Sequence, residues 1–381
     1  MRKILITAEI KRLAEDYATK METGTCFQAG KSPKERLEKL SRQLRLASAN
    51  IKILQAKAKK GHPAKYIRYG GNKYTDVSDY VQEIYCNYDG LNKLLPSEYH
   101  QAIVSRMEGL IDVDLLSKIS VKLPKKRWMT LSDCIVDAMQ YSKVQSDIMP
   151  EYIRKIGIKT CVYCNAQFAT TSCVQKITSA PKGKYMVKED PITCYDLDHN
   201  MPKSKYPYLC TNFYNLQPTC SSCNRRKGNR ELGFSLYYES DMDDPRPLHF
   251  ALDHRDIIRF RTTNDYRNIK AYLCNTGQGM PPSLADTTSL AGEFNSKLGV
   301  QAIYDEYSDI VEEILWNHKI YSNGLMTALA KQLPSLGLNQ FSIKWFILGG
   351  FYEKETDFLK RPFSVMKEDI WEQLKRNDKS L

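Results

Sequence analysis

Two short cysteine pairs, Cys161-Val-Tyr-Cys164 and Cys220-Ser-Ser-Cys223, constrain this chain more than any other feature. Thiolates two residues apart grip one Zn²⁺ from a tight turn, and two such knuckles complete a closed tetrahedral site that draws distant segments together. The roughly 55 residues between the pairs are too many for a simple zinc ribbon, so something is threaded between the knuckles. A disulfide framework explains the cysteines less well. The chain has 381 residues and an odd eleven cysteines, whereas such frameworks usually carry an even number in a short secreted chain. Cys173, Cys194 and Cys210 have no partner at knuckle spacing and read as buried thiols, with Cys194 as the reserve zinc ligand.

At 42% hydrophobic, the sequence has enough apolar content for two or three folded regions. Its formal charge of +12 favours a polyanionic partner, because clustered Lys and Arg gain affinity by releasing counterions from phosphates. An anionic membrane would satisfy the same charge, and a merely basic soluble protein would need no partner. No apolar run approaches the roughly 18 residues of a membrane span; Trp345 to Phe351 is short and contains Gly349 and Gly350. The opening Met1-Arg-Lys is basic, but Glu9 falls where a signal peptide needs a longer apolar core, so a cytoplasmic location is expected.

The expected architecture is α+β: a small metal-rich module over 151–240, between a helical region at 1–150 and a mainly helical region at 241–381. Ser32-Pro33-Lys34-Glu35 is a capping box with proline at the first helical position. The stripe Leu37, Leu40, Leu44, Ala47, Ile51, Leu54 then predicts a helix of about 28 residues, ending at Gly61 and packing on another helix. Its outer face carries Lys34, Arg36, Arg42, Arg45, Lys52, Lys57, Lys59 and Lys60, which is either a solvated face or a track for a nucleic-acid backbone. Further helical patterns cover Val77 to Ile119, Leu131 to Ser142, Tyr307 to Leu315 and Met366 to Leu374. Gly24 to Ser32 imitates a phosphate-binding loop, but five residues separate its glycines where four are needed, and no strand precedes it.

The threaded insert contains Cys194-Tyr-Asp-Leu-Asp-His-Asn-Met-Pro202 and Asn212-Phe-Tyr-Asn-Leu-Gln-Pro-Thr-Cys-Ser-Ser-Cys-Asn-Arg-Arg-Lys-Gly228. Hydrolysing a phosphodiester needs a base for water, a cation for the charge on the transition state, and something to hold the base. His199 suits the first role, since an imidazole titrates near neutral pH. Asp198, just before it, suits a hard divalent cation such as Mg²⁺ or Mn²⁺.

Over Cys161 to Gly228 the sequence resembles the HNH, or ββα-metal, endonucleases in the version braced by a four-cysteine zinc. An Asp-His pair, a downstream Asn-Leu and Cys-x-x-Cys-Asn-x-x-Lys occur in the family's order; most of the chain is unmatched. The resemblance implies that His199 activates water, that Asp198 and Asn224 hold the catalytic cation, and that Asn215 braces the loop carrying the base. Asn212 competes for that last place, although Asn215-Leu216 fits the family spacing better. Asp196, two residues before Asp198, is either a second carboxylate near the metal or an exposed polar residue. Cys161, Cys164, Cys220 and Cys223 would hold the structural zinc.

Lys203, Lys205, Arg225, Arg226, Lys227 and Arg230 are candidate contacts to phosphates flanking the cut, predicting affinity without sequence specificity. The implied activity is cleavage of nucleic acid, DNA foremost, leaving 5′-phosphate and 3′-hydroxyl ends. The run from Asp196 to Pro207 looks closest to HNH proteins of bacterial anti-phage defence, such as the nuclease subunit of Septu-type and related retron systems, which work beside a partner ATPase. The competing reading is a zinc-finger module that binds nucleic acid without turnover, which would have no need of Asp198, His199 and Asn224 together.

Overall fold

Local capping chemistry fixes where the first helices begin. The computed structural model describes residues 1–46, 53–54, 73–123, 126–180, 184–239, 244–277, 286–321, 323–332, 344, 347–350 and 355–379. After strand β1 (Ile4–Leu5), the Thr7 side chain accepts from the Ile10 amide at 3.3 Å and opens helix α1 (Ala8–Thr23), which Gly24 closes at a left-handed φ of 69°. Helix α2 (Pro33–Leu46) opens with the expected reciprocal cap: Ser32 donates to the Glu35 carboxylate through its amide at 2.9 Å and its hydroxyl at 2.6 Å. Leu37, Leu40 and Leu44 bury one face of α2. Opposite lies α3 (Lys73–Cys86), whose Val77, Tyr80, Val81 and Ile84 are buried and whose Gln82 accepts from Ser41 at 2.9 Å. The heptad-like stripe thus finds its helical partner within the chain.

That helix is shorter than its apolar spacing suggests. It is described to Leu46, and Ile53–Leu54, inside the expected span, forms strand β2 against β3 (Ser120–Lys122), which pairs in turn with β4 (Trp128–Thr130). Ile53 is β-branched and pairs with Val121, which favours extended backbone over the helical spacing there. Ala47, Ile51, Lys52, Lys57, Lys59 and Lys60 lie outside the described residues.

Helix α4 (Leu131–Ala138) stops short of Ser142 because Gln140 turns left-handed at φ 59°; α5 (Met149–Ile156) then closes at Gly157. After the first knuckle comes a long antiparallel ribbon of β5 (Thr171–Ala180) and β6 (Lys184–Thr193). A shorter hairpin of β7 (Asp196–His199) and β8 (Leu216–Thr219) follows, and helix α6 (Ser221–Lys227) comes directly after it. Strand β9 (Tyr237–Tyr238) pairs in parallel with β1, tying the start of the chain to the end of this module.

The last region adds one small sheet to its helices. Strands β10 (Leu248–Leu252) and β11 (Ala271–Asn275) pair antiparallel around helix α7 (His254–Thr263), followed by α8 (Ser308–Ile320) and α9 (Ser364–Lys379). Asp369 and Gln373 of α9 accept from the Phe250 and Leu252 amides at 3.0 and 2.8 Å, satisfying the outer edge of β10 with side chains instead of another strand. The mixture of helices and small sheets is α+β, and one buried apolar cluster runs from Met1 to Leu374 through all three regions.

Candidate metal centre and His199 site

The four knuckle cysteines converge. Their sulfur atoms lie within 4.8 Å of one another, with Cys164 and Cys220 at 4.0 Å, and all four residues are buried. A zinc tetrahedron with bonds of about 2.3 Å requires sulfurs about 3.8 Å apart, so the donor set and its spacing fit a structural Zn²⁺. Burial pushes the Cys161 thiol well above its ordinary range, so a bound metal would have to displace protons from the cluster. Asn165 follows the first knuckle at φ 52°, and its amide donates to Cys161 O at 2.9 Å, closing the turn.

This cluster stands beside the β7/β8 hairpin. In its register Asp196 faces Thr219, Asp198 faces Gln217 and His199 faces Leu216. Alternation puts Asp196 and Asp198 on one face of β7 and His199 on the other. Asp198 is 5% exposed; its carboxylate lies 2.9 and 3.2 Å from Lys227 Nζ and accepts the Tyr163 hydroxyl at 2.5 Å. Lys227 Nζ also donates to His199 O at 2.8 Å. One buried ammonium therefore clamps the two neighbouring residues of the Asp-His pair, by side chain in one and backbone in the other.

His199 is 4% exposed and lies with Nε2 3.0 Å from Cys210 O. A carbonyl can only accept, so Nε2 carries the proton and Nδ1 keeps the lone pair. Burial, with help from the Lys203 charge, lowers the imidazole to about 3, keeping it neutral at ordinary pH. Tyr141 packs tilted on the ring at 4.8 Å between centroids, held there by its hydroxyl bond of 2.8 Å to Leu197 O.

The two candidate asparagines both brace backbone, in different places. Asn215 accepts from the Met201 amide at 2.7 Å and donates to Met201 O and Leu209 O at 3.2 and 3.0 Å, pinning both ends of the loop that follows His199. Asn212 accepts from the Tyr99 hydroxyl at 2.6 Å and donates to Leu91 O and Leu94 O at 2.7 and 2.9 Å, anchoring the module to the N-terminal region. Asn224 turns its amide to Asp196 Oδ2 at 3.1 Å, not to Asp198. Asn224 is thus joined to Asp196 at the start of α6, whereas the Asp198 oxygens are engaged by Lys227 and Tyr163.

The candidate phosphate contacts divide. Lys203, Arg225 and Arg226 are exposed, Lys203 with its ammonium 4.2 Å from the Tyr141 ring centre. Lys205 shares its charge with Asp114 and Glu231, each at 3.5 Å. Arg230 spends its donors on backbone carbonyls, reaching Lys227 O at 3.2 Å and Lys297 O at 3.0 Å. Lys227 is a correction: at 1% exposure it faces Asp198 and cannot lie on a surface phosphate. The sequence held the signal, since Lys227 is four residues after the metal-facing Cys223 and so shares its inward face. Tyr163 and Tyr141 were also not expected; Tyr163 sits inside the knuckle spacing, whereas nothing near Tyr141 in the sequence points to His199.

No family model and no solved structure matches the chain. Against curated proteins it is similar to the Septu protein PtuB of Bacillus thuringiensis, at 28% identity over 109 residues. The match covers 28% of this chain and spans about a third, 34%, of that relative's length. No helix among the described residues is long and apolar enough to cross a membrane.

Proposed function

We propose that this chain is a metal-dependent endonuclease of the HNH type, acting on DNA in bacterial anti-phage defence beside a partner ATPase. The observation that carries the reading is the geometry around His199: Nε2 donates to Cys210 O, which leaves the lone pair on Nδ1, in a loop braced by Asn215. Activation of water needs a ring nitrogen that can take a proton, and Nδ1 supplies it.

In this mechanism His199 Nδ1 takes the proton from the attacking water, and Cys210 O holds the ring as it becomes cationic. Asp198 and Asn224 would hold Mg²⁺ or Mn²⁺, with Asp196 beside them; the bound ion supplies a Lewis acid for the scissile phosphate and its leaving oxygen. Lys227 orients the Asp198 carboxylate. The four cysteines would hold a structural zinc that fixes the hairpin against the first knuckle, outside the reaction.

The defence role, and with it the ATPase partner, rests on the similarity to the Septu protein and on the run from Asp196 to Pro207. The binding-only alternative is separated by one assay: supercoiled plasmid incubated with Mg²⁺, Mn²⁺ or neither, with His199→Ala beside the wild type. Metal-dependent nicking or linearisation that disappears in the variant supports the nuclease. Failure to cut with and without an added ATPase partner, by zinc-loaded and folded protein, sinks it.

A further inference from the structure

A cavity of about 760 Å³ lies between α2 and α4, outside the zinc and His199 centres. Its charged lining is Lys31, Arg36, Lys39 and Lys126 against one carboxylate, Asp137. Asp137 is itself shared, 2.8 Å from Arg36 and 2.7 Å from Lys126, leaving the cavity with a net cationic lining. Leu40, Leu123 and Ala138 supply apolar surface within it. Cations together with apolar surface suit a polymer that alternates phosphates with flat rings; a solvated basic face has no such recess.

The cavity is joined to the His199 centre. Gln140 donates to Lys31 O at 3.1 Å, tying the cavity's lip to the residue before Tyr141, whose ring packs on His199. On α4, Ser132 donates to Lys203 O at 2.8 Å, so the helix that lines the cavity also holds the loop after His199. We infer that this cavity is a docking site for a nucleic-acid strand, gripping the backbone away from the cut while the His199 centre engages the scissile phosphate. The inference rests on the nuclease reading for its choice of polymer.

Binding is measured by anisotropy of a labelled duplex and a labelled single strand without added divalent cation, across a salt series. The pair Lys31→Glu/Lys39→Glu is compared with Lys118→Glu/Arg255→Glu, an equal charge change at exposed residues outside the cavity. The cavity pair should weaken binding about tenfold or more and lower the salt slope by about two, whereas the outer pair should change affinity less than about threefold. Equal losses in both pairs would reduce the effect to overall charge and overturn the docking site, as would unchanged binding in the cavity pair or capture of an acidic protein partner with no nucleic-acid binding. Because cutting is not read, selective loss of binding upholds the cavity even if the wild type proves unable to cleave. Cleavage by a protein whose cavity pair binds normally sinks the cavity and leaves the nuclease standing.

Discussion

Tyr163 lies between the two cysteines of the first knuckle and donates its hydroxyl to Asp198 Oδ2 at 2.5 Å. The residue that the first knuckle presents is thus the one that orients a carboxylate of the His199 centre. Hydrogen bonds to charged groups contribute about 1.5–3 kcal/mol, so Tyr163→Phe should cut cleavage by about ten- to a hundredfold while zinc content stays at one per chain. Plasmid cleavage and native mass spectrometry on the same preparation check both halves.

Removing the zinc should act on the fold before it acts on chemistry. Cys220→Ser, or stripping by a strong chelator, should lower the melting temperature and raise proteolysis between 161 and 228, since metal affinity here is folding energy. His199→Ala should melt close to the wild type with its zinc retained. Equal loss of soluble protein from both substitutions would count against these roles.

Lys227 separates a buried clamp from a phosphate contact. Removing one member of a buried ion pair strands the other, at a cost of about 3–5 kcal/mol, so Lys227→Met should destabilise by that order in denaturant melts. A surface contact would instead leave the melt unchanged and weaken binding to nucleic acid.

The His199 shift has a definite sign. The folded imidazole protonates at about 3, below the ordinary 6.5, so its stabilising contribution is present above about 6.5 and is lost as pH falls toward 3. The stability of the wild type relative to His199→Asn should therefore decline by up to about 1.4 kcal/mol per pH unit in that window. A difference that stays flat from pH 7 to pH 4 would show that the ring is not held neutral.

Asn215→Ala should free the loop it pins. Hydrogen exchange should accelerate across 200–209 while the β7/β8 register stays protected, and cleavage should fall more than binding. Asn212→Ala should instead loosen the contact with Leu91 and Leu94.

The sequence carried the metal cluster because cysteine spacing is a local signal with few chemical meanings, and it carried α2 because Ser32 and Glu35 cap each other across one turn. It did not carry β2 at Ile53–Leu54, which falls within the helical spacing that follows Ser32, nor β10 and β11, whose short alternations sit among helical patterns. For the site, the Asp-His pair and Asn215 were legible as a motif. The inward turn of Lys227 was legible only through Cys223, and the pairing of Asn224 with Asp196 depends on how α6 packs against β7. Tyr141 arrives from another region of the chain, so no local pattern could announce it.

The first knuckle leans on the far end of the chain. Asn165 donates to Phe358 O at 2.9 Å and accepts from Ser364 and the Val365 amide at 3.2 and 3.1 Å, and Tyr304 donates to Cys164 O at 2.7 Å. The centre is therefore no transplantable cassette. A fragment cut at 151–240 would carry all four knuckle cysteines and His199 yet leave its own turn unsupported, so grafts or minimal versions of this chain must bring the C-terminal helix with them.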